Sequence, residues 1–213
     1  MIDLIEYIST HADHLIMLSV EQLTMALLAV LLGVAVAVPL GIWISKSVKW
    51  VKPVLWVVNA LQTIPVLALA GFLMIVFGLG KTTAVFGLFV YTLLPIVQST
   101  YKGLVSIDPK LIETASGMGM SDSQIFWRIE LPLALQVIFV GIRISAVVAI
   151  STATLMSLVG AGGLGYEIFT GINRLNNSMI IAGSLLAALL AFVVDRLLQL
   201  LQGRMSSPGL QNR

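Results

Sequence analysis

The sequence predicts an all-α integral membrane protein with five transmembrane helices. Of its 213 residues, 58% are apolar and 10% are charged, where a soluble domain carries about a quarter charged residues. Mean hydropathy is +1.02. The apolar residues gather into five runs, 22–45, 54–77, 83–101, 133–158 and 179–200, each near the ~20 residues that a crossing needs. No linker or low-complexity run divides residues 1–213, which read as one transmembrane domain. A net charge of +2 gives no sign of nucleic acid binding, and the absence of cysteine excludes disulfides, thiol catalysis and cysteine-ligated metal.

Residues 1–21 are mixed in character, with Asp3, Glu6 and Asp13 but no Lys or Arg in the first twenty. They lack the basic start of a signal peptide and are expected to lie at the membrane interface. The first span repeats small residues every fourth position: Ala29, Gly33, Ala37, Gly41. The fourth does so with Gly141, Ser145, Ala149, Ala153, Ser157, and the fifth with Gly183, Ala187, Ala191. Such rows let helix backbones approach closely in lipid, so the spans should form a tight bundle. The second span carries Asn59, Gln62 and Thr63 on one face, followed by Pro65. Proline frees a carbonyl one turn back, and this polar face suits either a conduit or hydrogen bonds to neighbouring helices. Ser151, Thr152 and Thr154 in the fourth span admit the same two readings.

The segment 102–132 interrupts the apolar runs. Asp108-Pro109 reads as an N-cap followed by proline at the first helical position. Leu111, Ala115 and Met118 follow at helical spacing, and Gly117 and Gly119 can end that helix. Ser121 and Gln124 have the spacing of a capping box, which restarts a second helix with Ile125, Phe126 and Ile129 on its apolar face. Pro132 marks the start of the next span. A helix, a glycine hinge and a helix with little to bury against themselves suit docking into a partner's groove.

Charge fixes an orientation. Lys46, Lys49, Lys52, Lys102, Lys110, Arg128, Arg196, Arg204 and Arg213 fall on one side, Lys81 and Arg174 on the other. The positive-inside rule then puts the N-terminus outside, and the C-terminus and the 102–132 loop in the cytoplasm. Trp43, Trp50, Trp56 and Trp127 share the inner depth, as an interfacial belt does. Arg143 is expected to anchor at that interface, with 133–141 running obliquely along it and the crossing beginning near Arg143. No Asp or Glu lies deep in the five runs, Asp195 being near the inner end of the last. Ion-coupled transporters keep such carboxylates, so an external energy source is expected.

Several motifs are set aside. Residues 160–165 satisfy GxGxxG but follow a membrane span with no βαβ context. Gly160, Gly162, Gly163 and Gly165 are read instead as a tight turn or outer gate. Gly80-Lys81-Thr82 resembles the end of a phosphate-binding loop, but Ile75 stands where its first glycine must be. His11 and His14, with Asp13 between them, are too few for a metal site. No spaced Ser or Thr has a neighbouring base, so no catalytic site is expected.

Glu113, Ala115, Gly119, Ile129, Leu131 and Pro132 together fill a spaced frame. It resembles the EAA loop of binding-protein-dependent ABC importer permeases, departing from the consensus Ala at Thr114. Residues 59–65 (Asn-Ala-Leu-Gln-Thr-Ile-Pro), Thr92-Leu-Leu-Pro95-Ile96, Gly141-Ile142-Arg143 and the 160–165 run extend the similarity over most of 22–200, toward permeases of glycine betaine, carnitine and choline importers. The resemblance implies an importer permease (MetI-like) fold and a subunit that conducts a quaternary ammonium osmoprotectant across a bacterial-type inner membrane. It implies that those six residues couple to a separate ATPase, which holds ATP and Mg, while this chain is no enzyme and binds no cofactor. Implied partners are ATPase subunits, a second permease copy or paralogue, an external binding protein and membrane lipid. With the chain ending at Arg213, no fused binding domain is expected. Asn59, Gln62 and Thr63 are expected to border the pathway, opposite the small row of the fourth span. The alternatives are a methionine or polar amino acid importer permease, an ion-coupled secondary transporter or channel subunit, and a structural membrane scaffold.

Overall fold

A computed structural model describes residues 2–205. Arg213 lies outside them, and of Asp3 and Arg204 only the backbone is described. The described residues are helical, with no strand: α1 Ile2–Thr10, α2 Ala12–Ser45, α3 Val48–Thr63, α4 Val66–Phe77, α5 Lys81–Val105, α6 Pro109–Gly117, α7 Asp122–Ile125, α8 Leu131–Met156, α9 Leu164–Asn173 and α10 Asn177–Met205.

The first crossing is longer than its apolar run. α2 has 34 residues and begins at Ala12 rather than near 22, so only α1 remains of the expected interfacial segment. Polar residues between 12 and 22 continue the helix because two of them, Glu21 and Gln22, have partners elsewhere in the fold.

The second run, 54–77, is not one straight helix. α3 and α4 meet at 93°. Pro65 disfavours helical backbone in the residue before it, and Ile64 is extended at ψ 124°. The Ile64 carbonyl accepts the Tyr91 hydroxyl, so the break leaves a satisfied acceptor. The pair still crosses the bundle. α2 ends beside Phe126, where Lys46 Nζ sits 4.3 Å from the ring centroid. Near the start of α2, Glu21 Oε1 bonds Lys81 Nζ, at the first residue of α5, at 2.7 Å. Gly80 N–H donates to Val159 O at 2.9 Å. The α3–α4 connection therefore runs from the Lys46 end of the bundle to the Lys81 end.

The fourth crossing is one rod, Asp122–Val159, of 38 residues. It passes through a π-helical turn at Phe126–Glu130, where Leu131 N–H donates to Phe126 O. Pro132 cannot donate and its ring crowds the carbonyl four residues back, so the widened turn carries the helix past it without a break. Residues 133–141 are thus continuous with the rest of α8 and do not form a separate segment. Arg143 is not a lone anchor either. Its Nε and an η nitrogen donate to the two carboxylate oxygens of Asp195 on α10, at 2.5 and 2.8 Å. The bidentate geometry places opposite charges together on adjacent helices.

α5 is the central helix, between α2 and α8. The small rows are where it is gripped. A Cβ added at Gly33 would lie 2.2 Å from Thr92 Oγ1, and one at Gly41 2.5 Å from Thr100 Cβ. Gly141 of α8 meets Ser99 and the Pro95 carbonyl in the same way, and Ser145 Oγ donates to Thr92 O at 2.9 Å. α5 therefore covers Gly141 and Ser145 while Ala149 clusters with Ala26 and Val30 of α2, so the α8 row packs on α5 and α2 and not on Asn59, Gln62 and Thr63. On α10, Gly183 packs on Leu164 and Ile168 of α9. Thr154 bonds back to the Ser151 carbonyl of its own helix.

Candidate functional site

At the Lys46 end, residues 108–132 project as a two-helix unit. Asp108 Oδ1 accepts the Lys110 N–H at 2.9 Å, with Pro109 at the first position of α6. α6 closes on Gly119, whose φ of +84° is the left-handed conformation that glycine adopts without penalty. Gly119 N–H donates to Ser116 O, and Met120 N–H to Ala115 O, at 2.9 and 3.1 Å; this is a Schellman cap. Ser121 and Gln124 form the reciprocal capping box that starts α7.

The two helices share an inner face of Ala115, Ile125 and Phe126, all buried. Of the expected face Leu111, Ala115 and Met118, only Ala115 turns inward; Leu111 is 50% and Met118 74% exposed. Trp127 is 64% exposed, and Glu113, Gly119 and Pro132 are also exposed. Ile129 and Leu131 are half-buried at the π turn. The unit thus presents an apolar outer surface with a carboxylate, set over a cleft of about 470 Å³ lined by Lys46, Ile107, Ile112, Asp122 and Glu130.

The polar face of α3 divides. Gln62 Nε2 donates to Tyr91 O at 3.0 Å. Pro95 lacks the N–H that would bond that carbonyl in α5, so Gln62 satisfies an acceptor that proline orphans. Asn59 and Thr63 are exposed and bond back to Leu55 O and Ala60 O of their own helix.

At the Lys81 end the glycine run makes a turn, with φ of +77°, +80° and +75° at Gly160, Gly162 and Gly163. α2 clamps it. Glu21 Oε2 accepts Gly163 N–H at 3.1 Å and Gln22 Oε1 accepts Leu164 N–H at 2.9 Å. Gln22 is fully buried and also donates to Ile150 O at 3.0 Å, so one side chain ties α2, α8 and α9 together. Gly165 is where α9 touches α8: a Cβ there would lie 1.9 Å from Thr154 O. Beyond it Glu167, 1% exposed, accepts the Tyr7 hydroxyl and lies 3.4 Å from His14 Nε2. Burial, and then the bond to this carboxylate, push the Tyr7 hydroxyl up to about 12. Tyr7 stacks on His11, and the described residues hold no group of three or more side chains suited to a metal ion.

Sequence reasoning missed Glu21, Gln22 and Glu167. The available signal was weak: a carboxylate and an amide adjacent at the start of an apolar run. Asp195, expected near the inner end of the last run, and Glu21, just before the first, are each paired with a cation.

Crossing helices around a central α5, a broken second crossing and a projecting two-helix unit define an integral membrane permease subunit. Residues 19–207 match the family described as binding-protein-dependent transport system inner membrane component, and the chain belongs to that family. It is similar to the choline transport system permease protein OpuBB of Bacillus subtilis, 38% identical over 98% of this chain and 96% of that one. It is also similar to the carnitine transport permease protein OpuCB of Listeria monocytogenes, 39% identical over 98% and 95%. The osmoprotectant import permease protein OsmW of Salmonella typhimurium is 40% identical over 98% and 100%. The fold is shared with a chain of the MetNI methionine ABC transporter in an inward-facing conformation, at TM-score 0.78 and 22% identity, covering 88% of this chain and 94% of that one. An amino acid ABC transporter chain aligns at TM-score 0.74 and 18% identity, covering 93% and 97%. The chain is a multi-pass inner-membrane transport permease.

Proposed function

We propose that this chain, paired with a second permease subunit, forms the pathway of an ABC importer for a quaternary ammonium osmoprotectant of the glycine betaine, carnitine or choline type. The carrying observation is the match, over nearly the whole chain, to relatives named for those substrates. ATP and Mg act on separate ATPase subunits, and an external binding protein delivers the substrate. The lysine-rich Lys46 end faces the cytoplasm.

The 108–132 unit is the ATPase docking surface. Ala115 spaces its two helices, Gly119 sets the bend, and Glu113 and Pro132 lie on the outer surface, with Ile129 and Leu131 seating the unit on α8. ATP-driven closure of the ATPase pair draws two such units together. The rod Asp122–Val159 carries that displacement to the glycine turn at the outer end, where Gly160, Gly162, Gly163 and Gly165 act as the gate. Energy enters only if the unit binds differently in the two states. Asn59 and Thr63, at the break in the second crossing, border the pathway.

The test is uptake by cells lacking and regaining this chain. Labelled glycine betaine, carnitine or choline should enter only with the chain, the binding protein and a hydrolysis-competent ATPase subunit all present. Restoration of methionine uptake alone would overturn the substrate; uptake that persists with a hydrolysis-dead ATPase would overturn the coupling.

A further inference from the structure

We infer that the elbow between α2 and α3 is a binding site for an anionic glycerophospholipid, with one acyl chain in an apolar slot and the phosphate held by Lys49 and Lys52. The slot is about 270 Å³ and is lined by Leu40, Trp50, Pro53, Val54, Val57 and Val58, all apolar. It opens beside the cluster of basic residues that ends α2 and begins α3. Lys49, Lys52 and Trp56 stand at i, i+3 and i+7 on α3 and so share one stripe of that helix, next to the row that lines the slot. Trp56 is 72% exposed, and Trp50, in the slot wall, packs on Trp43 with ring centroids 5.6 Å apart. Tryptophan at this depth sits at the headgroup level of a bilayer.

Charge selects the occupant. Between Glu21 and Asp108 the chain contains no Asp or Glu. Lys81 is paired with Glu21 and Lys46 lies over Phe126, whereas Lys49 and Lys52 are exposed and make no ion pair with any described residue. Two unpaired ammonium groups on the stripe beside an open apolar groove complement a molecule with a phosphate at one end and hydrocarbon at the other. A zwitterionic lipid fits the slot equally well but gains less from the lysines, because its own cation offsets its phosphate. The inference requires the chain to be in a membrane and is independent of the substrate it carries.

The experiment is native mass spectrometry of the detergent-purified permease with its co-purifying subunits, titrated with phosphatidylglycerol and, separately, phosphatidylcholine. The wild type should retain phosphatidylglycerol preferentially. K49Q/K52Q should lose that preference by about fivefold per lysine, corresponding to ~1 kcal/mol for each basic residue near an anionic surface, and K49R/K52R should keep it. Val57→Trp, which fills the slot, should lower retention of both lipids. Inorganic phosphate should not displace the bound lipid. Equal retention of the two lipids by the wild type, an unchanged preference in K49Q/K52Q, unaltered retention in Val57→Trp, or displacement by phosphate would each overturn the site. A photoactivatable phosphatidylglycerol, used on the wild type alone, should crosslink within residues 40–58; crosslinks confined to other segments overturn the site whatever the fate of the variants.

Discussion

Gly165→Ala isolates the contact that seats the glycine turn and α9 on α8. The added Cβ would lie 1.9 Å from Thr154 O and 2.7 Å from Ser157 Oγ, where relaxed carbon–oxygen contacts are ~3.3 Å or longer. Backbone oxygen cannot rotate away, so α9 must retreat by more than about 1 Å or stay overpacked. Overpacking costs about 1–3 kcal/mol. Retreat instead surrenders the clamp at Gly163 and Leu164, and the bond that Gly163 N–H donates to the Glu21 carboxylate is worth about 1.5–3 kcal/mol. The loss by either route is therefore about 1–3 kcal/mol. Gly160→Ala is the comparison. Its nearest neighbour is Leu79 Cβ at 3.8 Å, so its cost is only that of a side chain at φ +77°, about 1–2 kcal/mol. Thermal unfolding of the purified variants in one detergent should lower the midpoint by roughly 6 °C for Gly165→Ala and roughly 4 °C for Gly160→Ala. A wild-type midpoint for Gly165→Ala, or a larger drop for Gly160→Ala, would refute the steric argument.

Gly119→Leu should leave the fold intact, because a Cβ there meets nothing within 4 Å and pays only for φ +84°; co-purification with the ATPase subunit and substrate-stimulated hydrolysis should both fall, and full activity in both would remove the docking assignment. Cysteine at 59 and 63 should react with water-soluble thiol reagents in at least one nucleotide state, whereas cysteine at 62, facing the Tyr91 carbonyl, should resist; protection of 59 and 63 in every state would move them out of the pathway. Reporter fusions after residue 50 and near 115 should read cytoplasmic and one near 172 external; a cytoplasmic signal at 172 contradicts the crossing number. The raised Tyr7 value means its neutral form is favoured when folded, so its contribution to holding α1 on α9 is complete below pH 10 and is lost as pH rises through about 12. Tyrosinate titration should show a late component that Tyr7→Phe removes, and its persistence in that variant would reassign the group.

Much of the molecule was legible because its signals are local. Apolar run length marked the candidate crossings, the caps at Asp108, Gly119 and Ser121 set the bounds of the 108–132 unit, and four-residue spacing of Ala and Gly showed which faces could be gripped. These follow from backbone geometry over a turn or two of one helix. What the tertiary structure decided are pairings between residues distant in the chain. Gln62 finds the carbonyl that Pro95 orphans, Arg143 finds Asp195, and Glu21 and Gln22 reach a glycine turn some 140 positions later, with sequence separation 142 for both bonds. Hydropathy cannot foresee them, because each polar side chain looks costly in a span until its partner is known. The 93° break at Pro65 is of the same kind: proline announces that a helix can bend there, but only the Tyr91 hydroxyl and the packing on α5 determine that it does.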